Sequence, residues 1–137
     1  TEHERYSQTS PRPIGNIEHP FNLVKLAASS GATYVSRWTA VQARRATKSI
    51  EKGIAKEGFS FIEIVGACPT AYGRMNRLGA GVQMHEHLLE VAEIQNGLPP
   101  HEAELDYNTK IICGEFVNVE KPEYTKVLRE AHKKVRE

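Results

Sequence analysis

A single thiol offers the clearest chemistry in this sequence. Cys68 stands in Cys68-Pro69-Thr70, close behind the mostly apolar run Phe59 to Val65. A residue just past the carboxyl end of a buried strand lies where open α/β sheets place their ligands. The proline stiffens the turn that aims the sulfur. A thiolate at such a place could ligate a metal or attack an electrophile, and a buried thiol would simply pack as a small apolar group. Cys113, in Ile111-Ile112-Cys113, has no His or second Cys at metal-ligand spacing and reads as core. Two cysteines are too few for a disulfide framework and too few to close a four-thiolate metal site unaided.

The other polar candidates are weaker. His85 and His87 flank Glu86, but an i, i+2 pair points to different sides of a helix, so the expectation is a solvated face. His19 and His101 sit beside prolines in loops. Arg74 and Arg77, with Asn76 between them, could meet a carboxylate or an acidic partner, or be solvated surface. Arg44, Lys48, Lys52 and Lys56 repeat every four residues; the plain reading is a solvated helix face, and the sharper one is a surface that steers an acidic electron carrier. There is no Gly-rich phosphate loop, no nucleophile elbow and no paired-carboxylate spacing.

Elements must hold these residues in place. Residues 1–19, with Pro11, Pro13 and Gly15-Asn16, read as an extended loop. A helix is predicted from about Pro20 to Ser29, with Ser30-Gly31 as its stop. Thr33 to Trp38, β-branched and aromatic, reads as a strand. Thr39-Ala40-Val41-Gln42 has the form of a capping box and opens a helix ending near Glu57-Gly58, whose buried edge would be Ala46, Ile50 and Ile54. Phe59 to Val65 then reads as a strand covered on both faces, as parallel strands are. The segment from Gly66 to Gly81 reads as a long loop, Gly81 to Gln95 as a helix, and Ile111 to Val117 as a short strand or an extended arm. Pro122 opens a C-terminal helix with Tyr124, Leu128, Ala131 and Val135 on one stripe.

Helix, strand, helix, strand with short links is the pattern of an α/β domain with a parallel sheet. Two strands do not make a stable doubly wound sheet, so residues 20–70 read as the closing part of a larger sheet, and residues 71–137 as a loop, a helix and an arm for packing subunits. The chain has 137 residues with 18 Lys and Arg against 17 Asp and Glu, a net charge of +1. That balance argues against a dedicated nucleic-acid or membrane-surface binder. No apolar run spans a bilayer and no signal-peptide pattern opens the chain, so a cytoplasmic location is expected.

Several blocks carry a family resemblance. Gly58-Phe59-Ser60-Phe61-Ile62-Glu63-Ile64, Cys68-Pro69-Thr70 and Gly73-Arg74-Met75-Asn76 closely resemble the C-terminal half of the beta subunit of 2-oxoacid:ferredoxin oxidoreductases, especially the 2-oxoglutarate type. Gly15-Asn16-Ile17-Glu18 with Pro20-Phe21, and Gly31 to Trp38, follow the same family in the same order. The tail resembles it more loosely, through Gly114 to Val117 and Lys121 to Tyr124.

The resemblance implies an enzyme with thiamine diphosphate and Mg2+ that decarboxylates a 2-oxoacid oxidatively. The acyl group would pass to coenzyme A and the electrons through 4Fe-4S clusters to ferredoxin. It implies that Cys68 is one thiolate ligand of the proximal cluster, and it assigns no catalytic or cofactor-contacting residue within this chain. The other three cluster cysteines and the Gly-Asp-Gly-Asp segment belong to the upstream half in that family, so that half and the alpha subunit, with further small subunits in some members, are the implied partners. The chain alone is expected to be inactive. Two other readings stay open on the residues themselves: a non-catalytic α/β module docking a partner through its C-terminal helix, and a small Cys-dependent redox or acyl-transfer enzyme, which would need a base near Cys68.

Overall fold

The structure, a computed structural model, describes Tyr6 and residues 13–136. Of the expected N-terminal loop, residues 1–5 and 7–12, including Pro11, therefore lie outside the described residues; residues 13–22 form a turn and irregular chain.

The first helix, α1 (Leu23–Ser29), begins where the Asn22 side chain accepts from the Lys25 backbone N–H, satisfying one donor that the helix start leaves open. Strand β1 (Tyr34–Thr39) is buried at every position. Its alternating side chains face two cores. Val35 packs with Val24 and Ala27 of α1, and Trp38 lies on the other side in a cluster with Ala46 and Cys113. The capping box forms by half: the Gln42 side chain accepts from the Thr39 N–H at 3.0 Å, whereas the Thr39 hydroxyl is buried with no hydrogen-bond partner among the described residues. A 3-10 turn, Ala40–Gln42, accordingly precedes α2 (Ala43–Ala55).

α2 rolls differently from the apolar pattern. Ala46 and Ser49 face the core, while Ile50 and Ile54 are exposed. Hydrogen bonding to Ser49 selects this roll: its hydroxyl oxygen accepts from Tyr34 Oη (2.9 Å) and from Trp38 Nε1 (2.6 Å), so two buried aromatic donors of β1 are satisfied at once.

β2 (Ser60–Val65) runs parallel to β1, with Tyr34 opposite Ser60 and Thr39 opposite Val65. It is the edge of the sheet and only half-buried, with Ile64 exposed, which corrects the expectation of a strand covered on both faces. The doubly covered strand is β1. Two further departures follow. The segment after Cys68 is not a long loop but a π-helical turn, Pro69–Gly73, running into the short helix α3 (Arg74–Asn76). The next helix, α4 (Gly81–Val91), ends four residues before Gln95 because Ala92–Ile94 extends as β3.

The remaining strands are β4 (Leu105–Asp106) and β5 (Lys110–Asn118), and the chain closes with α5 (Tyr124–Arg136). The order is β2-β1-β5-β3, with β4 also on β5. β1–β2 and β3–β5 are parallel; β1–β5 and β4–β5 are antiparallel, with a bulge at Val35/Ser36. Gly114 makes the central strand possible: its φ is +148°, and a Cβ there would lie 2.6 Å from the Gln95 carbonyl oxygen. The α/β class expected from the sequence is borne out, with the two parallel pairs, β2–β1 and β5–β3, joined by the antiparallel contact of β1 with β5.

Candidate functional site

Cys68 lies three residues beyond the end of β2, and its thiol is exposed. Pro69 takes the first position of the following turn, where its missing N–H costs nothing. The Gly73 N–H donates to the Cys68 carbonyl at 2.8 Å and closes the π-helical turn. The sulfur sits 3.9 Å from Thr70 Oγ1. Gly73 is buried so tightly that a Cβ would meet Met84 Sδ at 2.6 Å, which fixes the turn against α4. Asn76 adds a second clamp. Its Nδ2 donates to the Tyr72 carbonyl (3.0 Å) and the Tyr6 carbonyl (2.9 Å), and its Oδ1 accepts from the Tyr6 N–H (3.1 Å). The thiol is therefore presented outward by a braced turn, a suitable setting for one ligand of a metal centre.

Among the described residues no three His, Cys, Asp or Glu side chains converge on a metal site. Cys113 is fully buried in the cluster of Trp38, Met84 and Leu88, and desolvation pushes its thiol up to about 11. Packing is its role, as the apolar run around it suggests. Arg74 and Arg77 are both exposed beyond the turn, Arg77 with φ +59° at the end of α3. His101 is exposed, 3.5 Å from Glu102, and His19 is exposed.

Two expectations need correction. The basic stripe on α2 is not uniformly solvated: Lys52 meets Glu115 of β5 at 2.5 Å, and Lys56 meets Glu120 and, at 2.8 Å, Asn118. Only Arg44 and Lys48 point to solvent without an ion pair among the described residues. The Glu115 carboxylate holds Lys52 above the ordinary lysine range. The stripe's lower half thus binds α2 to the sheet. Likewise His87 is half-buried, not solvated. Its Nε2 lies 2.6 Å from the Tyr107 carbonyl, and its ring is 4.9 Å from the Tyr107 ring, which Tyr72 meets edge-on at 5.0 Å.

Sequence reasoning missed Arg37, the largest fully buried side chain. Its Nε bonds Glu63 at 2.6 Å, Nη2 bonds Asn22 Oδ1 at 3.0 Å, and Nη1 reaches the carbonyls of Ala103, Glu104 and Ile112. One guanidinium thereby joins the start of α1, both parallel strands, β5 and the turn before β4. The signal was present: Arg37 and Glu63 each interrupt an apolar strand, and they are direct neighbours in the parallel register.

No protein-family model matches the chain. The 2-oxoglutarate synthase subunit KorB of Methanocaldococcus jannaschii is 41% identical over 124 residues, which are 90% of this chain and 46% of that subunit. The KorB subunit of Methanothermobacter thermautotrophicus is 40% identical over 120 residues, 85% of this chain and 41% of that subunit. The chain resembles KorB. It spans about half the length of these KorB relatives, and the likeness bears out the resemblance to the beta-subunit family. A solved 2-oxoglutarate:ferredoxin oxidoreductase from Magnetococcus marinus, with 2-oxoglutarate, coenzyme A and succinyl-CoA bound, superposes with a TM-score of 0.68. That match covers 97% of this chain and 46% of the other at 19% identity, so it establishes a shared fold.

Proposed function

We propose that this chain is the C-terminal part of the beta subunit of a 2-oxoglutarate:ferredoxin oxidoreductase, a multi-subunit enzyme that oxidatively decarboxylates its 2-oxoacid to the acyl-CoA. The likeness to KorB subunits supports that reading, and one structural observation carries it to the residue level: the exposed Cys68 thiol on a braced turn at the carboxyl end of a parallel strand. Residues 20–70 supply helices and the parallel strands β1 and β2 of the thiamine-diphosphate domain, β3, β4 and β5 from residues 71–137 extend that same sheet, and α5 forms the arm.

The residues present fit a 4Fe-4S cluster as the source of one thiolate. Cys68 would be that ligand, with the other three thiolates supplied from outside this chain; when bound, the cluster supplies one-electron transfer toward ferredoxin. Within the chain, Pro69 and the Cys68–Gly73 hydrogen bond fix the sulfur's direction, and the Asn76 clamp keeps the turn from unwinding. The residues present do not fit thiamine diphosphate with Mg2+: the sequence has a single Asp, Asp106, and no Gly-Asp-Gly-Asp segment. Those contacts belong to the upstream half of the subunit, which the open edge of β2 would also receive. The alpha subunit, coenzyme A and ferredoxin complete the proposed partners. No helix is long and apolar enough to cross a membrane among the described residues, in keeping with a proposed cytoplasmic setting.

Cys68→Ser in the assembled enzyme tests this reading. The expected result is loss of cluster iron and of the cubane signal in electron paramagnetic resonance, with the subunits still assembled. A cubane signal of undiminished intensity overturns the assignment of Cys68.

A further inference from the structure

Thr70 stands two residues after Cys68, with its hydroxyl oxygen 3.9 Å from the sulfur. A threonine within a helix commonly donates to the carbonyl four residues back, as Thr47 of α2 does to Ala43 at 3.0 Å. Thr70 makes no such bond. It is the second residue of the Pro69–Gly73 turn, so no turn of helix lies beneath it, and among the described residues its hydroxyl has no hydrogen-bond partner besides the sulfur. No carboxylate from its own stretch of chain competes for the proton either, since residues 64–85 contain no Asp or Glu.

In the free thiol either atom of this pair could be the donor. A thiolate bound to iron carries no proton, so any hydrogen bond between the two then runs from the hydroxyl to the sulfur. Such a bond is charge-assisted, which strengthens it. Pro69, between the two residues, has no N–H to offer the sulfur in its place. A β-branched side chain has few rotamers, so Thr70 Oγ1 stays where the turn puts it. The turn itself is held by the Gly73 N–H on the Cys68 carbonyl at 2.8 Å and by Met84 over Gly73.

We propose that Thr70 tunes the cluster held through Cys68: its hydroxyl donates to the ligating sulfur and raises the cluster's reduction potential. Reduction adds one electron, and with it negative charge, to the iron–sulfur unit, so a donor at a ligand sulfur stabilises the reduced form more than the oxidised one. Thr70 acts through Cys68 and is therefore a positioning residue, one that sets a proton against the sulfur. The inference rests on the reading of Cys68 as an iron ligand and adds to it the residue that adjusts that ligand.

Redox titration of the assembled enzyme, followed by electron paramagnetic resonance, tests this with Thr70→Val, Thr70→Ser and Cys68→Ser. Thr70→Val keeps the shape of the side chain and removes the donor, whereas Thr70→Ser keeps the donor. The expected result is a midpoint potential shifted below the wild type in Thr70→Val at unchanged iron content, and a return to near the wild-type potential in Thr70→Ser. In heavy water, the reduced wild type and Thr70→Ser should show an exchangeable-deuteron coupling that Thr70→Val lacks. A Thr70→Val cluster at the wild-type potential overturns the proposal, as does a Thr70→Ser cluster that falls as far as Thr70→Val. If Val at position 70 blocks cluster assembly, Thr70→Ala carries the same expectation and the same contradiction. Cys68→Ser separates the two claims: loss of the cubane signal there with Thr70→Val unshifted removes the tuning role alone, whereas an undiminished cubane signal removes the ligation on which that role rests.

Discussion

At the scale of single residues, Arg37 and Cys113 illustrate two ways of burying a polar atom. The guanidinium is tolerated because each face finds an acceptor, and Glu63, its charged partner, is itself mostly covered. Removing the cation leaves the Glu63 carboxylate without its charged partner and takes one donor each from the carbonyls of Ala103, Glu104 and Ile112, of which Ala103 keeps Asn22 Nδ2 and Glu104 keeps the Ile112 N–H. Arg37→Ala should cost about 3–5 kcal/mol in chemical denaturation, while Arg37→Leu with Glu63→Leu should recover much of that loss. Cys113 is buried as a neutral thiol, raised from 9.0 to about 11. The unfolded chain therefore releases this proton first, and between pH 9 and about 11 it binds fewer protons than the folded one. Stability contributed by Cys113 is intact below pH 9 and falls as pH rises through that window. Denaturation of the wild type and of Cys113→Ala across it should show the extra alkaline loss in the wild type alone.

Elements show what a sequence does and does not disclose. The β1 and β2 strands are legible because β-branched and aromatic residues cluster there between glycine-containing turns. The α2 helix is legible in extent but not in roll: a hydrophobic pattern favours Ile50 and Ile54 as the buried edge, and only the two donors from Tyr34 and Trp38 show why Ser49 is inside instead. The π-helical turn after Cys68 escapes pattern reading because it is held by one i→i+5 bond and by Met84 filling the space over Gly73. β5 is read only as strand or arm, since its place in the centre of the sheet depends on partners far away in sequence. Its pivot is Gly114. Gly114→Ala should lower stability by about 1–3 kcal/mol, because the backbone lies at positive φ and the new methyl strikes the Gln95 carbonyl. Thermal unfolding of that variant against the wild type measures the cost.

The whole molecule is a sheet with one fully covered strand and an edge that stops at half-buried β2. Exposed Ile50, Ile54, Phe59 and Ile64 lie on α2, β2 or the turn between them, on the side where further strands would add. This arrangement accords with a chain that spans about half of its KorB relatives. The Cys68 position was legible from sequence because a Cys-Pro-Thr after an apolar strand is a short local pattern. Its exposure was not, since that depends on how α4 and Asn76 brace the turn.

The central claim is that Cys68 ligates iron in the assembled enzyme. Anomalous diffraction at the iron edge from crystals of the assembled complex tests it most directly. The expected map places an iron peak within bonding distance of Cys68 Sγ, one of four irons whose remaining thiolates come from another stretch of polypeptide. A map with an ordered iron cluster elsewhere and the Cys68 thiol facing solvent contradicts the account.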